Sequence, residues 1–283
     1  IPVGDIDLAV EDRGEGPPVV FLHGFPELGY SWRHQIGPVA DAGYRVLVPD
    51  QRGYGASSKP ESVGEYDLTH LVGDVIGLLD QLRIPDATVV GHDWGSIVAY
   101  AVALSHPHRV RAVASINIPH RGVPGGFPPI NFIRDRFPER FSYVLMFQED
   151  GVAEAGFAAD PEAWLKAFYL GGNHGEEFLT DDEFAVYRDA FVLGGITAPV
   201  NWYRNIDANA KAFAHLAHSP LPHPLLVIAA DNDPVLPLEL TEGIDRWAKK
   251  SERVVIEDCG HWTQQQHPDE VNAALIEWLG RVT

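Results

Sequence analysis

The 283-residue chain contains a single cysteine, Cys259, so no disulfide can form within it and nothing in its composition demands an oxidising compartment. It also lacks any apolar run approaching the roughly 20 residues that a membrane-spanning helix needs. Its opening residues, IPVGDIDLAVEDRG, have no basic-then-apolar signal pattern. A cytoplasmic protein is expected, although the sequence does not open on Met and leaves room for a short leader ahead of Ile1. Positive charge is scarce: 21 Lys and Arg stand against 40 Asp and Glu, a net charge of -19. Nucleic acid and anionic membrane bind through clustered Lys and Arg, so both are unfavourable partners, and a neutral apolar ligand fits better. There is no internal repeat and no low-complexity segment.

What is present is an alternation of short β-branched runs with helical patterns, the mark of parallel strands joined by crossover helices. Runs VVFLHG from Val19, YRVLVPD from Tyr44, ATVVGHD from Ala87 and VRAVASINIP from Val110 predict strands buried on both faces. Helices are expected over Asp67 to Arg83 and Trp94 to Ser105. The pattern resumes with PLLVIAAD from Pro224, a helix-like LELTEGIDRWAKK, the strand ERVVIED from Glu252 and a closing helix from about Asp269 to Leu279. Between them, residues 119–216 open on a Pro- and Gly-rich linker and become aromatic-rich and helical in pattern. The expected architecture is α/β, a mostly parallel doubly wound sheet over residues 1–118 and 217–283, with an inserted helical cap at 119–216. The size suits a monomer or a homodimer.

VVGHDWGS contains Gly91-x-Asp93-x-Gly95, a strand-turn-helix nucleophile elbow with aspartate where serine usually stands. Asp also commonly caps helix N-termini, but strand, glycines and helix together favour the nucleophile. The substitution changes the available chemistry. Serine attacking a saturated carbon leaves an ether that water does not readily cleave, whereas a carboxylate leaves a hydrolysable ester. An Asp elbow therefore points to displacement at an sp³ carbon, as in epoxides or alkyl halides, and away from esters and amides.

The chain order nucleophile, acid, histidine selects Asp233, after the PLLVIAAD strand, and His261, after ERVVIED. His261 is expected to act as base toward water, with Asp233 fixing its tautomer. Asp231 is a nearby alternative whose closeness to the strand end suits a turn or cap. His92 neighbours Asp93 but should point to the opposite face of its strand, away from the site. His215, His218 and His223 cluster in a Pro-rich stretch without a carboxylate or Cys, a poor metal site, and neither metal nor cofactor is expected. HGFP at His23 to Pro26 sits where an oxyanion-hole amide is supplied, from Phe25, with Trp94 providing the second.

Taken together, HGFPELGYSWRHQI, PDQRGYGASSKP, VGHDWGS, YVLMFQEDGVAE, NWYRN and IEDCGHWTQ resemble the α/β-hydrolase-fold epoxide hydrolases of the soluble type. The resemblance is to a bacterial-like form, with no preceding phosphatase-like domain. It implies conversion of hydrophobic epoxides and water to vicinal diols through an Asp ester. It also implies that two cap tyrosines, Tyr143 and Tyr203, hold the epoxide oxygen; the residues alone give Tyr143 no preference over Tyr169 or Tyr187. The expected substrate pocket is Phe25, Pro26, Trp94, Phe132, Phe141, Phe147 and Trp262. Haloalkane dehalogenases are the enzymatic rival, sharing Asp-Trp at the elbow. They usually carry Asn after the His-Gly pair, where Phe25 stands. Fluoroacetate dehalogenases usually place Arg where Trp94 is. A non-catalytic ligand-binding member of the fold is the remaining rival, disfavoured because nucleophile, acid, base and both donors are present.

Overall fold

A computed structural model describes residues 1–123 and 125–283. The chain opens with a small antiparallel pair, β1 (Pro2–Val3) and β2 (Ile6–Asp7). Seven strands then build the main sheet: β3 (Val10–Arg13), β4 (Pro18–Leu22), β5 (Arg45–Pro49), β6 (Ala87–His92), β7 (Val110–Ile116), β8 (Leu225–Ala230) and β9 (Ser251–Ile256), in the order β3-β5-β4-β6-β7-β8-β9. All neighbours are parallel except β3, which runs antiparallel to β5 at the edge. Every residue of β6 and β8 is buried, which is why these strands read as unbroken apolar runs. The edge strand VEDR is largely exposed and charged, so it carries no apolar signal and escapes a reading by hydrophobic pattern.

One face of the sheet is covered by α2 (Leu68–Gln81) and α3 (Trp94–Ser105), the other by α1 (Arg33–Asp41) and α12 (Pro268–Val282), giving two separate buried clusters. Asp67 caps α2, its carboxylate accepting from the His70 amide at 2.9 Å. The helix expected over LELTEGIDRWAKK is not formed. Two 3-10 turns stand there, Leu238–Thr241 and Ile244–Arg246, separated by Gly243 at φ +69°, a left-handed conformation that interrupts helical hydrogen bonding. The closing helix is longer than expected, with Pro268 in its first turn.

Between β7 and β8 every regular element among the described residues is helical. These are α4 (Ile130–Arg136), α5 (Ser142–Met146), α6 (Val152–Ala159), α7 (Pro161–Gly171), α8 (Asp181–Gly194), α9 (Thr197–Arg204), α10 (Ile206–Ala212) and a 3-10 turn at Ala214–Leu216. Polar contacts tie them to the core: Ser31 and Gln265 hydrogen-bond the Tyr187 hydroxyl at 2.8 and 2.9 Å, and Arg33 pairs with Glu183 at 2.9 Å. A short α11 (Thr263–Gln266) precedes α12.

Within the core, Arg52 grips Asp74 of α2 through two hydrogen bonds of 2.7 and 2.6 Å, both side chains nearly out of solvent. Removing Asp74 leaves the buried Arg52 with only the exposed carboxylate of Asp5, 3.8 Å away. Asp74→Ala is expected to destabilise the fold by about 3–5 kcal/mol, read as a lower urea midpoint with an unchanged slope. A loss under about 1 kcal/mol would mean that water replaces the pair.

Candidate active site

The turn from β6 into α3 holds Asp93 at φ +49°, ψ -123°, a conformation costing a non-glycine residue about 1–3 kcal/mol. The flanking glycines are required by space. A Cβ at Gly91 would collide with the backbone of Gly95 and Ser96, and one at Gly95 with the Leu22 carbonyl. Gly24, on the facing loop, is equally constrained, since a Cβ there would sit 2.6 Å from Asp93 Oδ1. The Asp93 carboxylate consequently stands close to the chain after β4, and the Phe25 amide donates to Oδ1 at 2.9 Å.

The loops after β8 and β9 bring Asp233 and His261 to the same edge. His261 Nδ1–H donates to Asp233 Oδ2 at 2.8 Å, and His261 Nε2 lies 3.8 Å from Asp93 Oδ2. Asp233 Oδ1 accepts from the Val235 and Leu236 amides at 2.8 and 2.9 Å. Burial works against a charged His261, but the adjacent Asp233 and Asp93 outweigh it and raise its pKa to about 9. Burial also opposes ionisation of Asp233, and His261 together with the two amides pulls its pKa below the usual carboxylate range. Asp231, the neighbouring candidate, accepts from the Cys259 amide at 3.2 Å and braces a turn.

Four residues missed in the sequence hold this arrangement from behind. The Asn117 amide donates to Asp233 Oδ2 at 3.0 Å and to the His261 carbonyl at 2.7 Å, and Thr263 Oγ1 donates to Asn117 Oδ1 at 2.9 Å. Asn117 adopts φ +67°, a left-handed conformation that Asn tolerates better than most residues. His92 corrects the expectation that it lies away from the site. Its ring lies 4.9 Å from that of His261, Nε2–H donates to the His261 carbonyl at 2.9 Å and Nδ1 meets Glu27 Oε2 at 2.7 Å. Glu27 is fully buried; its desolvation is outweighed by the charge of His92, and its pKa is lowered to about 2. It also accepts from the Gly24 amide at 2.8 Å and from the Gln264 and Gln265 amides at 2.8 and 3.2 Å. The only sequence signal for Glu27 is its place directly after HGFP.

Tyr143 of α5 and Tyr203 of α9 lie side by side, ring centroids 5.8 Å apart. Burial, then the charge of Asp93, pushes the Tyr143 phenol well above its ordinary pKa; burial and the neighbouring Tyr143 do the same to Tyr203. Both phenols are thereby kept protonated.

A cavity of about 200 Å³ has Asp93 and Tyr143 in its wall. Of the expected pocket residues, Phe141 lines it and Phe25, Pro26, Trp94, Phe132, Phe147 and Trp262 do not. Phe132 is 47% exposed, because Ile130 and Ile133 form the buried face of α4 and Phe132 falls on the other. Trp94 opens α3 but its ring packs among Phe127, Trp202 and Tyr203. Phe25 and Phe147 pack edge-on to each other and to Tyr203, behind the site. The Pro26 carbonyl accepts from the Tyr169 hydroxyl at 2.6 Å, and Trp262 donates to the Tyr169 carbonyl at 2.9 Å beside His261. The walls instead combine aliphatic side chains of α3 and of the loops after β7 and β8 with the rings of Tyr100, Phe127 and Phe213, residues whose share in a pocket depends on long-range packing. Among the described residues no group of three or more His, Cys, Asp or Glu could hold a metal, and the side chains of His215 and His223 meet backbone carbonyls. No helix among them is long and apolar enough to cross a membrane.

Comparison with known proteins agrees with this geometry. Residues 17–268 match the model of the alpha/beta hydrolase fold family. Epoxide hydrolase A of Mycobacterium tuberculosis is 40% identical over 99% of this chain and 96% of its own length. Bifunctional epoxide hydrolase 2 of Mus musculus is 38% identical over 97% of this chain, which spans only 53% of that protein. The crystal structure of Epoxide Hydrolase A from Mycobacterium thermoresistibile superposes with a TM-score of 0.93 at 38% identity, covering 100% of this chain and 98% of that one. With strand order, elbow and full-length likeness in agreement, the chain belongs to the α/β-hydrolase fold family, in its epoxide hydrolase branch.

Proposed function

We propose that the protein hydrolyses apolar epoxides to vicinal diols through an ester on Asp93, beneath a cap formed by residues 119–216. The reading rests on one arrangement: a carboxylate at the elbow, 3.8 Å from the imidazole of His261, with a buried protonated phenol in the wall of the same apolar cavity. Epoxide relatives and epoxide-hydrolase structures support it.

In the first step Asp93 attacks a ring carbon, the C–O bond breaks, and the leaving oxygen takes a proton from Tyr143 or Tyr203. An alkoxide is far more basic than a phenolate, so even a phenol of raised pKa donates to it. In the second step neutral His261, oriented by Asp233, removes a proton from water as it adds to the ester carbonyl; the Phe25 amide, which donates to Asp93 Oδ1, and the Trp94 amide would receive the oxyanion. Collapse expels the second diol oxygen, which takes the proton from His261. The proton shed as Asp93 regains its carboxylate replaces the one the tyrosine gave up.

The raised pKa of His261 belongs to the resting protein, where two carboxylates flank it. Esterification removes the charge of Asp93, so the imidazole becomes a better-populated neutral base at the moment it is needed.

In a single turnover in heavy-oxygen water the label is expected in Asp93 and not in the first diol; label in that diol would mean direct water attack. His261→Gln should let the alkyl-enzyme accumulate, detected by intact mass after mixing with styrene oxide, and a variant giving neither burst nor adduct argues against this base. Tyr143→Phe and Tyr203→Phe together should slow epoxide opening by about 10²–10⁴-fold while leaving the melting temperature near that of the parent. Full retained activity, or turnover of haloalkanes in place of epoxides, would point to halide displacement. The imidazole of His261 should titrate near pH 9 by NMR in the free protein, and Asp93→Asn and Asp233→Asn should each move that titration down toward the ordinary histidine range. An unmoved midpoint would remove the carboxylates as its cause.

A further inference from the structure

The space around Asp93 is one-sided. β6, which delivers the nucleophile, lies between β4 and β7 in the sheet. The cavity extends chiefly toward β7 and β8, with walls from Ile118, Val235 and Leu236, and touches the start of α2 only at Leu68. Ile97, Ala101 and Leu104 of α3, spaced i, i+4 and i+7, carry it away from the nucleophile. At the helical rise this face extends about 16 Å from Asp93 to Leu104. The volume, about 200 Å³, is below the ~300–1,000 Å³ of sites that take drug-sized ligands.

The β4 side is filled. Phe25 has its ring centroid 5.4 Å from Phe147, 5.4 Å from Phe168 and 6.2 Å from Trp164, and Trp164 and Phe168, one turn apart on α7, stand 4.5 Å from each other. These are contact distances for aromatic rings, and none of the four rings lines the cavity. Phe168 is also 5.8 Å from the ring of Tyr143, so this plug abuts one of the candidate proton donors directly.

An epoxide with its oxygen toward Tyr143 and one carbon toward Asp93 projects the substituents of its two carbons in opposite directions. One direction enters the cavity; the other meets the rings. We propose that this site takes epoxides whose apolar bulk is all on one ring carbon, terminal epoxides above all, and that Trp164 and Phe168 exclude a substituent from the other carbon. This rests on the epoxide-hydrolase reading above. Trp164 and Phe168 are the specificity-determining pair because both sit on a cap helix and are only partly buried, whereas Phe25 and Phe147 are buried at its base.

The test uses two isomers of equal carbon count, 1,2-epoxyoctane and trans-4,5-epoxyoctane, with kcat/KM measured for diol formation by the full chain. The terminal isomer is expected to be preferred by at least about 100-fold, the upper part of the discrimination that a well-packed apolar wall achieves. Trp164→Ala and Phe168→Ala should each narrow that ratio by at least about tenfold, and Trp164→Phe by less than Trp164→Ala. A wild-type ratio near one overturns the proposal without any variant, and a large ratio that neither alanine variant narrows overturns the assignment to these two rings. Failure of the underlying reading is distinct: the wild-type protein would then form diol from neither isomer nor from styrene oxide.

Discussion

The whole site depends on a backbone turn that Asp93 adopts at φ +49°, where an L-residue with a side chain is strained. Nothing about aspartate favours this conformation. It persists because the turn is boxed in: β6 is buried along its entire length, Ser96 Oγ donates to the Gly91 carbonyl at 2.8 Å, and the Ser96 amide returns to the Asp93 carbonyl at 2.9 Å. Three glycines make the room, Gly91 and Gly95 beneath the turn and Gly24 against the carboxylate itself. If the turn relaxed, the carboxylate would leave both the Phe25 amide and the imidazole, which other contacts hold in place.

A second constraint follows from charge. Asp93, Asp233 and Glu27 are three carboxylates brought into one largely buried region, which would be prohibitive if they were left unpaired. Two histidines divide the task. His261 bridges Asp233 and Asp93, and His92 pairs with Glu27 beneath it. The two imidazoles are not independent, since their rings stand 4.9 Å apart and His92 donates to the carbonyl of His261. Glu27 also holds the Gly24 amide, so the same buried carboxylate braces the loop that carries Phe25 and, through His92, the loop that carries His261.

The legibility of this site in the sequence follows how local each determinant is. The elbow could be read because strand, two glycines and helix are contiguous, and Asp233 and His261 because each closely follows an apolar strand in the expected chain order. Tyr143 and Tyr203 are different: residue pattern alone ranks Tyr143 no higher than Tyr169 or Tyr187, and only likeness to known sequences singled it out. Glu27, His92 and Asn117 form a bracing layer in which Glu27–His92, His92–His261, Asn117–Asp233 and Asn117–His261 are 65 to 169 positions apart, beyond any periodicity. The cavity was misjudged for the same reason. Aromatic content suggested which rings line the pocket, yet aromatic side chains attract one another edge to face, and here Phe25, Phe147, Trp164 and Phe168 pack together away from the walls, which are shared by aliphatic residues of the core and by other rings such as Tyr100, Phe127 and Phe213. In the fold, the charged edge strand β3 and the glycine that breaks the helix after β8 escaped the reading because solvent exposure and local turn geometry, not burial, decided them.

That aromatic interior bears on the proposed chemistry as well as on shape. Packing Tyr143 and Tyr203 among Phe25, Phe147 and Phe168 desolvates both phenols and holds them protonated beside the Asp93 carboxylate. In the ground state an epoxide oxygen is a weak acceptor, so a phenol of raised pKa gives it a hydrogen bond and keeps its proton. As the C–O bond lengthens and negative charge collects on that oxygen, the same low-dielectric surroundings make the interaction stronger while offering no water to share it. In the proposed mechanism the donors would therefore act selectively on the opening ring, which is the condition for accelerating the step and not merely binding the substrate. A solvated tyrosine pair would retain the proton equally well but would lose most of that difference to water.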